Sequence, residues 1–135
     1  MLYELKTAFA LDTAIMNEQR RLVFVVFGRT SDEFARECKY LEKLQVLLVN
    51  MAIFYKLDTD RVQEFNQLYE LEGPCDVIVF HRNKPTQFNG RLKNRTLESI
   101  LETEMIQMVK QAYIKLNKQL VLEAQKRKQH DKSKT

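Results

Sequence analysis

Cysteine, proline, glycine and tryptophan are all scarce in this sequence of 135 residues. It contains two cysteines, two prolines, three glycines and no tryptophan, whereas 44% of its residues are hydrophobic. Few glycines and prolines leave little material for flexible linkers, and this hydrophobic fraction is typical of a folded globular chain. A chain of this length can bury one core without disulfides or metals, so we expect a single domain.

The two cysteines, Cys38 and Cys75, are too far apart in the sequence to form a Cys-x-x-Cys pair. Neither has a second cysteine or a histidine at the spacing that zinc sites use, so no metal or other cofactor is expected. A Cys38–Cys75 disulfide requires that the two Cα atoms come within about 7 Å of each other. Two buried, reduced cysteines that pack as small apolar residues are the favoured interpretation.

Long hydrophobic runs are absent as well. No apolar stretch approaches the roughly 20 residues that a helix needs to span a bilayer, and the N-terminus lacks the pattern of a secretory signal. These features favour an intracellular protein in a reducing compartment. The only histidines are His81 and His130. Neither has an evident serine, cysteine or carboxylate partner, so no catalytic residue is expected.

The net charge of +4 is carried entirely by the C-terminal end. Residues 1–117 hold 16 basic and 16 acidic residues, whereas residues 118–135 hold six basic and two acidic ones. A neutral body favours contacts with proteins, and the basic end adds at most electrostatic attraction to RNA or to a nuclear import receptor. A tail that only keeps the protein soluble is an equally weighted interpretation. We expect the domain to comprise residues 1–122 and residues 123–135 to form a disordered basic tail.

Hydrophobic patterning predicts a β-α-β unit in the first half of the chain. A short helix capped by Asp12 or Thr13 precedes an apolar stretch at residues 22–27, which is typical of a buried central strand. Apolar residues then recur at helical spacing after Ser31, an N-cap residue, and predict a second helix. Residues 51–57 form the second strand, and a right-handed crossover makes the two strands parallel.

The second half of the chain predicts a third helix, a hairpin and a final helix. The third helix runs from about Asp60 to Leu71 and stops before the Gly73-Pro74 pair. Residues 76–82 form an apolar strand, and a polar turn joins it to a short strand near residues 86–89. The final helix carries an apolar stripe at Ile106, Val109, Ala112, Tyr113 and Leu116. The predicted fold class is α/β, with a central mixed four-stranded sheet flanked by helices.

This order of elements is the plan of thioredoxin-like domains, and Pro74 stands where such domains carry a cis-proline loop. Several segments resemble the Dim (Dib) family, the small thioredoxin-like protein of the spliceosomal U5 particle. The resemblance covers about residues 5–122. Its most specific part, residues 65–84, joins Phe65-Asn66-Gln67-Leu68-Tyr69-Glu70-Leu71, Pro74-Cys75 and Arg82-Asn83-Lys84 without a gap.

The resemblance implies a thioredoxin-like fold and a nuclear, non-catalytic pre-mRNA splicing factor. It implies a component of the U4/U6.U5 tri-snRNP that docks other proteins and is needed before the spliceosome is activated. The implied partners are the large U5 scaffold protein and a helical-repeat protein that bridges the U5 and U4/U6 portions, with spliceosomal RNA nearby and no membrane. Outside the particle the protein is expected to be monomeric.

A proline loop without a redox pair leads us to expect a protein-docking surface at the former active-site edge. The start of the second helix, where thioredoxins hold their thiolate, reads Asp32-Glu33-Phe34-Ala35 and cannot attack a disulfide. Two aromatic residues, Tyr69 and Phe88, are expected as exposed anchors. The expected docking residues are Arg29, Asp32, Glu33, Tyr69, Gly73, Pro74, Cys75, Arg82, Asn83 and Lys84.

Two alternatives stay open at this point. A divergent thioredoxin-like oxidoreductase or redox sensor that uses Cys75 predicts a rapidly alkylated thiol with a low pKa. A sequence-nonspecific RNA-binding module driven by the tail predicts binding that falls steeply with salt and disappears on truncation after Gln125. Neither alternative accounts for the resemblance across residues 65–84.

Overall fold

A mixed sheet of five strands forms the centre of the computed structural model, which describes residues 2–133. The strands are β1 (Tyr3–Glu4), β2 (Leu22–Gly28), β3 (Ala52–Asp58), β4 (Cys75–His81) and β5 (Lys84–Thr86). Their spatial order is β1-β3-β2-β4-β5. Strands β1 and β2 run parallel to β3, whereas β4 runs antiparallel to β2 and β5. The predicted number of four strands is corrected to five, because β1 has only two residues and leaves no hydrophobic pattern.

Three helices are present in the described residues: α1 (Ala8–Asn17), α2 (Asp32–Leu47) and α3 (Glu102–Ser133). Helix α1 begins earlier than predicted. Its N-cap is Thr7, whose hydroxyl accepts a hydrogen bond from the Ala10 N–H at 3.0 Å, and neither Asp12 nor Thr13 caps it. The predicted cap was wrong because Asp12 and Thr13 lie inside the helix.

Helix α2 begins at its predicted cap. The Ser31 hydroxyl accepts a hydrogen bond from the Phe34 N–H at 3.1 Å, and two acidic residues in the first turn suit the positive end of the helix dipole. Three residues predicted to face inward are buried, Leu41, Leu44 and the C-cap residue Leu48, and the same face also buries one carboxylate, Glu37.

The predicted third helix is wrong, because residues 59–71 contain turns at 59–61 and 64–70 and no helix. Their backbone hydrogen bonds do not repeat at helical spacing, since the Leu71 N–H bonds to the Asn66 carbonyl at 2.8 Å, five residues back. The Asn66 side chain donates to the Thr59 carbonyl at 3.1 Å. This carbonyl therefore accepts from a side chain, whereas in a helix it would accept from a backbone N–H. Of the apolar residues in this segment, Val62 and Phe65 are nonetheless buried, whereas Leu68 is exposed.

Hydrophobic layers cover both faces of the sheet because side chains alternate along its central strands. The layer under α2 and α3 includes Leu22, Phe24, Val26, Leu41, Leu44, Met105 and Val109. The layer under α1 and residues 59–71 includes Val23, Val25, Phe27, Leu11, Ile15, Val62 and Phe65. All seven residues of β2 are therefore buried, as its continuous apolar pattern predicted.

Helix α3 continues through Ser133, into the segment predicted to be a disordered tail. The segment is helical over residues 123–133, and residues 121–128 are exposed. The hydrophobic layer on this helix extends to Leu116. The predicted domain boundary near residue 122 stays a prediction. Because α3 runs through this position, such a boundary would separate the packed part of one helix from its exposed part. The side chain of His130 and the last two residues lie outside what the structure describes.

Candidate functional site

The loop after β2 and the proline loop meet at one end of the sheet. Gly28 ends β2 opposite Cys75, and the Arg29 N–H donates to the Pro74 carbonyl at 3.1 Å. Helix α2 starts directly after this contact. We call the surface formed by residues 29–33 together with Gly73 and Pro74 the docking edge. It exposes three charged side chains on a framework held by backbone hydrogen bonds, namely Arg29, Asp32 and Glu33.

Gly28 allows this close approach of two loops. A Cβ atom at residue 28 would lie 2.4 Å from Phe34 Cδ2 and 2.5 Å from the Pro74 carbonyl oxygen. The described residues contain no cis peptide bond, so the bond before Pro74 is trans and the cis-proline loop expected at this place is wrong. The proximity of the two loops at the docking edge comes from strand pairing and from the missing side chain of Gly28.

Both cysteines are free thiols that burial holds in the protonated form. Cys75 is 3% exposed, and burial raises its pKa, with the negative charge of Glu37 acting in the same direction. Cys38 is partly buried, and burial raises its pKa to about 11. A redox sensor that uses Cys75 requires the opposite shift, because the thiolate is the reactive form.

The hairpin tip lies at the other end of the sheet. Arg82 and Asn83 have φ angles of 51° and 72°, which a two-residue type I′ turn requires. Strand β4 separates this tip from the proline loop by seven residues, or about 24 Å at about 3.4 Å per residue. The single docking surface expected from the sequence therefore consists of two separate surfaces, and Arg82, Asn83 and Lys84 do not belong to the docking edge.

The two aromatic residues expected as exposed anchors pack inside the molecule. Phe88 is 4% exposed and lies edge-on against Phe24 with ring centroids 5.1 Å apart, so its predicted exposure is wrong. Tyr69 is half-buried and stacks on Phe65 with centroids 5.9 Å apart, and it meets Phe80 edge-on at 6.0 Å. Tyr69 thus belongs to an aromatic cluster beneath residues 59–71.

A buried carboxylate, which the sequence analysis missed, joins α2 to the loop before α3. Glu37 is 0% exposed and accepts hydrogen bonds from the Thr96 hydroxyl and the Leu97 N–H at 2.7 Å and from the Glu98 N–H at 3.0 Å. Burial raises the pKa of Glu37, and the three hydrogen bonds oppose that rise. The sequence feature that could have revealed this burial is the position of Glu37 four residues before Leu41, on the apolar stripe of α2.

Asp76 is a second buried carboxylate that the sequence analysis missed. It follows Cys75 in β4, is 2% exposed, and has a pKa that burial raises although Lys93 and Arg95 oppose the rise. Lys93 also donates through Nζ to the carbonyl of Tyr69 at 3.4 Å, so it fastens residues 59–71 to the following loop. The available signal was a single acidic residue inside an otherwise apolar strand.

No group of three or more histidine, cysteine, aspartate or glutamate side chains in the described residues is arranged to hold a metal ion. None of the helices in this part of the chain combines the length and hydrophobicity of a membrane span.

The fold and the docking edge define a thioredoxin-like domain whose redox cysteine pair is missing. A thioredoxin from Fasciola hepatica superimposes with a TM-score of 0.65 over 82% of this chain and 98% of its own, at 18% identity. A Plasmodium falciparum thioredoxin gives a TM-score of 0.64 over 82% of this chain and 98% of its own, at 14% identity. These similarities establish the predicted thioredoxin-like fold.

The chain belongs to the family described as "Mitosis protein DIM1", whose model matches residues 1–127. It is 36% identical over 109 residues to "Mitosis protein dim1" of Schizosaccharomyces pombe, covering 78% of this chain and 77% of the relative. It is 33% identical over 131 residues to "Spliceosomal protein DIB1" of Saccharomyces cerevisiae, covering 90% of each. The family resemblance stated from the sequence is confirmed.

Proposed function

We propose that this protein is a non-catalytic pre-mRNA splicing factor. The observation that carries the proposal is the match to the relative named a spliceosomal protein, which extends over 90% of both chains. Its identity of 33% exceeds the 14% and 18% shared with the two thioredoxins of the same fold, so this similarity goes beyond the fold. Fold alone would not support this function, because one fold serves many functions.

More specifically, the protein acts as a docking component of the U4/U6.U5 tri-snRNP in the nucleus, before the spliceosome is activated. Its proposed partners are the large U5 scaffold protein and a helical-repeat protein that bridges the U5 and U4/U6 portions. The docking edge supports this role because it presents Arg29, Asp32 and Glu33 on a framework tied by backbone hydrogen bonds. Charges that complement those of a partner favour selection of that partner over others.

An oxidoreductase function has no such support. It needs an accessible thiolate at the start of α2 or in the proline loop, and the first of these positions holds Ala35. Cys75, in the second position, is 3% exposed with a raised pKa.

Co-purification from nuclear extract tests the proposal. We expect the tagged full-length chain to recover the large U5 scaffold protein and other tri-snRNP components, and Arg29→Glu to reduce that recovery because it reverses a charge on the docking edge. The matched control is Lys43→Glu, which makes the same charge change at an exposed position on α2. Recovery of only thioredoxin reductase or oxidised substrates would overturn the proposal, and equal losses in the two variants would remove the docking edge from it.

A further inference from the structure

A basic cleft lies at the end of the sheet opposite the docking edge. It consists of two adjoining cavities, of about 450 Å³ and about 340 Å³, that share Gln19 and Arg82 in their walls. The first is otherwise lined by Met16, His81, Asn83 and Lys84. The second is otherwise lined by Glu123, Ala124 and Arg127. The hairpin tip, the turn after α1 and the exposed part of α3 therefore converge on one concave surface.

Hydrogen bonds hold these three elements together. The Asn117 side chain, on α3, donates to the Arg20 carbonyl at 3.1 Å, and Nε of Arg82 donates to the Gln19 side-chain oxygen at 3.4 Å. The left-handed backbone of the hairpin tip fixes the direction of the turn. The cleft is thus assembled from separate parts of the chain rather than from a single run of basic residues.

Positive charge dominates the cleft. Its walls carry Arg82, Lys84 and Arg127, and Glu123 is the one carboxylate among the wall residues described. Further exposed cations of α3 lie outside these walls, at Lys110, Lys115, Lys118, Lys126 and Lys128.

The chemistry of the walls favours a polyanion backbone over an acidic protein. Apart from Met16 and Ala124, the side chains of the described walls are charged, amide or imidazole groups. Protein interfaces place an apolar, aromatic-rich core at their centre, which this cleft lacks. Phosphodiester oxygens are instead bound by arginine and lysine together with amide donors, and Gln19 and Asn83 supply such donors here.

We propose that the basic cleft binds the phosphodiester backbone of RNA without base specificity. The cations of the hairpin tip, Arg82 and Lys84, and Arg127 of α3 contact phosphates, and the amides of the walls position the strand. The proposal depends on the arrangement of charge around the cleft and does not depend on the proposed splicing function. Purified protein can therefore bind RNA even if co-purification fails, and the reverse also holds.

Fluorescence anisotropy with a labelled oligouridylate of about 12 nucleotides tests the cleft, because single-strand sites span roughly 4–16 nucleotides. We expect the full-length chain to bind with an affinity that falls steeply between about 50 mM and about 200 mM salt. Lys84→Glu combined with Arg127→Glu reverses one charge on the hairpin and one on α3. This pair lowers affinity at least about tenfold and reduces the salt slope by about 1.4, since each lost phosphate contact removes about 0.7.

The matched control combines Lys39→Glu with Lys43→Glu, which changes the net charge equally at exposed positions on α2. We expect it to change affinity less than about twofold. Circular dichroism and thermal melting verify folding, and Arg127→Glu alone serves if the double variant unfolds. Three results would each overturn the proposal: no saturable binding at low salt, equal losses in the two double variants, or tighter binding of a polyglutamate peptide of equal charge that the cleft variant abolishes.

Discussion

At the docking edge, single residues determine how closely two loops approach each other and whether a thiol is accessible. Gly28 lets the start of α2 and the proline loop approach each other, because a Cβ there would overlap both Phe34 and the Pro74 carbonyl. Cys75 sits directly opposite Gly28 in the register of β2 and β4 and is buried with a raised pKa. A residue that follows the proline loop is thus part of the core, whereas the charged residues beside it, Arg29, Asp32 and Glu33, are exposed.

Replacing Gly28 with alanine tests this arrangement. We expect Gly28→Ala to lower the free energy of unfolding by about 1–3 kcal/mol, because backbone and ring must move to accept the added methyl group. Urea unfolding monitored by circular dichroism measures the change. Gly90→Ala is an informative contrast: its added Cβ meets no atom within 4 Å, so its cost comes only from a φ of 75°. A Gly28→Ala protein as stable as the wild type would contradict the overlap.

Phe88 illustrates why burial could not be predicted for every residue. A phenylalanine after a short edge strand has no periodic pattern that marks its inward side. The chain after it folds back, since the Asn94 side chain donates to the Phe88 carbonyl at 3.1 Å and the backbone of Asn94 pairs with Val77. These contacts join residues far apart in the sequence, and they bury the ring against Phe24.

Among the helices and strands, long periodic segments were predicted better than their ends. The apolar runs of β2 and β3 identified two buried strands, and the spacing after Ser31 identified α2 with its cap. The predicted start of α1 was wrong because Asp12 and Thr13 are residue types that often cap helices. The actual cap, Thr7, is of the same type, and the sequence alone does not decide between them. Residues 59–71 have apolar residues at helical spacing but form no helix. Side-chain amides donate hydrogen bonds to two carbonyls of the segment, and Glu70 near its end has a left-handed φ of 54°.

Two alanine substitutions distinguish the observed cap of α1, Thr7, from the predicted cap, Asp12. Thr7→Ala removes the acceptor for the Ala10 N–H and is expected to lower the free energy of unfolding by about 1 kcal/mol. Asp12→Ala, at an exposed position inside the helix, is expected to change it by no more than about 0.5 kcal/mol. Chemical denaturation of both variants measures the difference, and a larger loss from Asp12→Ala would restore the cap predicted from the sequence.

At the scale of the whole molecule, the sheet separates two surfaces of different character. The docking edge lies where β2 ends and β4 begins, and the basic cleft lies where β4 ends and α3 extends past the sheet. Two buried carboxylates stand inside this framework: Glu37 ties α2 to the loop before α3, and Asp76 lies beneath the proline loop. Their raised pKa values make the stability of the fold depend on pH.

The sign of that dependence follows from the direction of the shifts. Because burial raises both pKa values, the folded state binds protons more tightly than the unfolded chain does, so these two groups stabilise the fold more as pH falls. We expect Asp76→Asn to be more stable than the wild type near pH 7, and this advantage to shrink as pH falls towards the ordinary aspartate pKa of about 3.9. Thermal melting across this range measures it.

The control for this prediction is Asp60→Asn, which makes the same chemical change at an exposed position. It is expected to shift stability by no more than about 0.5 kcal/mol at any pH. An Asp76→Asn protein that is less stable than the wild type at pH 7, or whose difference does not vary with pH, would show that Lys93 and Arg95 outweigh burial at this site.

The sequence by itself determined the β-α-β unit, the hairpin, the two-sided burial of the central strand, the lack of a dithiol pair and the family. These properties depend on residue types and on spacing within short segments, which a linear pattern records. The strand predicted between the proline loop and the hairpin tip also implies that the two lie at opposite ends of that strand. Only the tertiary structure decided that the tip faces Arg127 of α3. That contact depends on strand order and on long-range packing against the sheet, so no local pattern contains it.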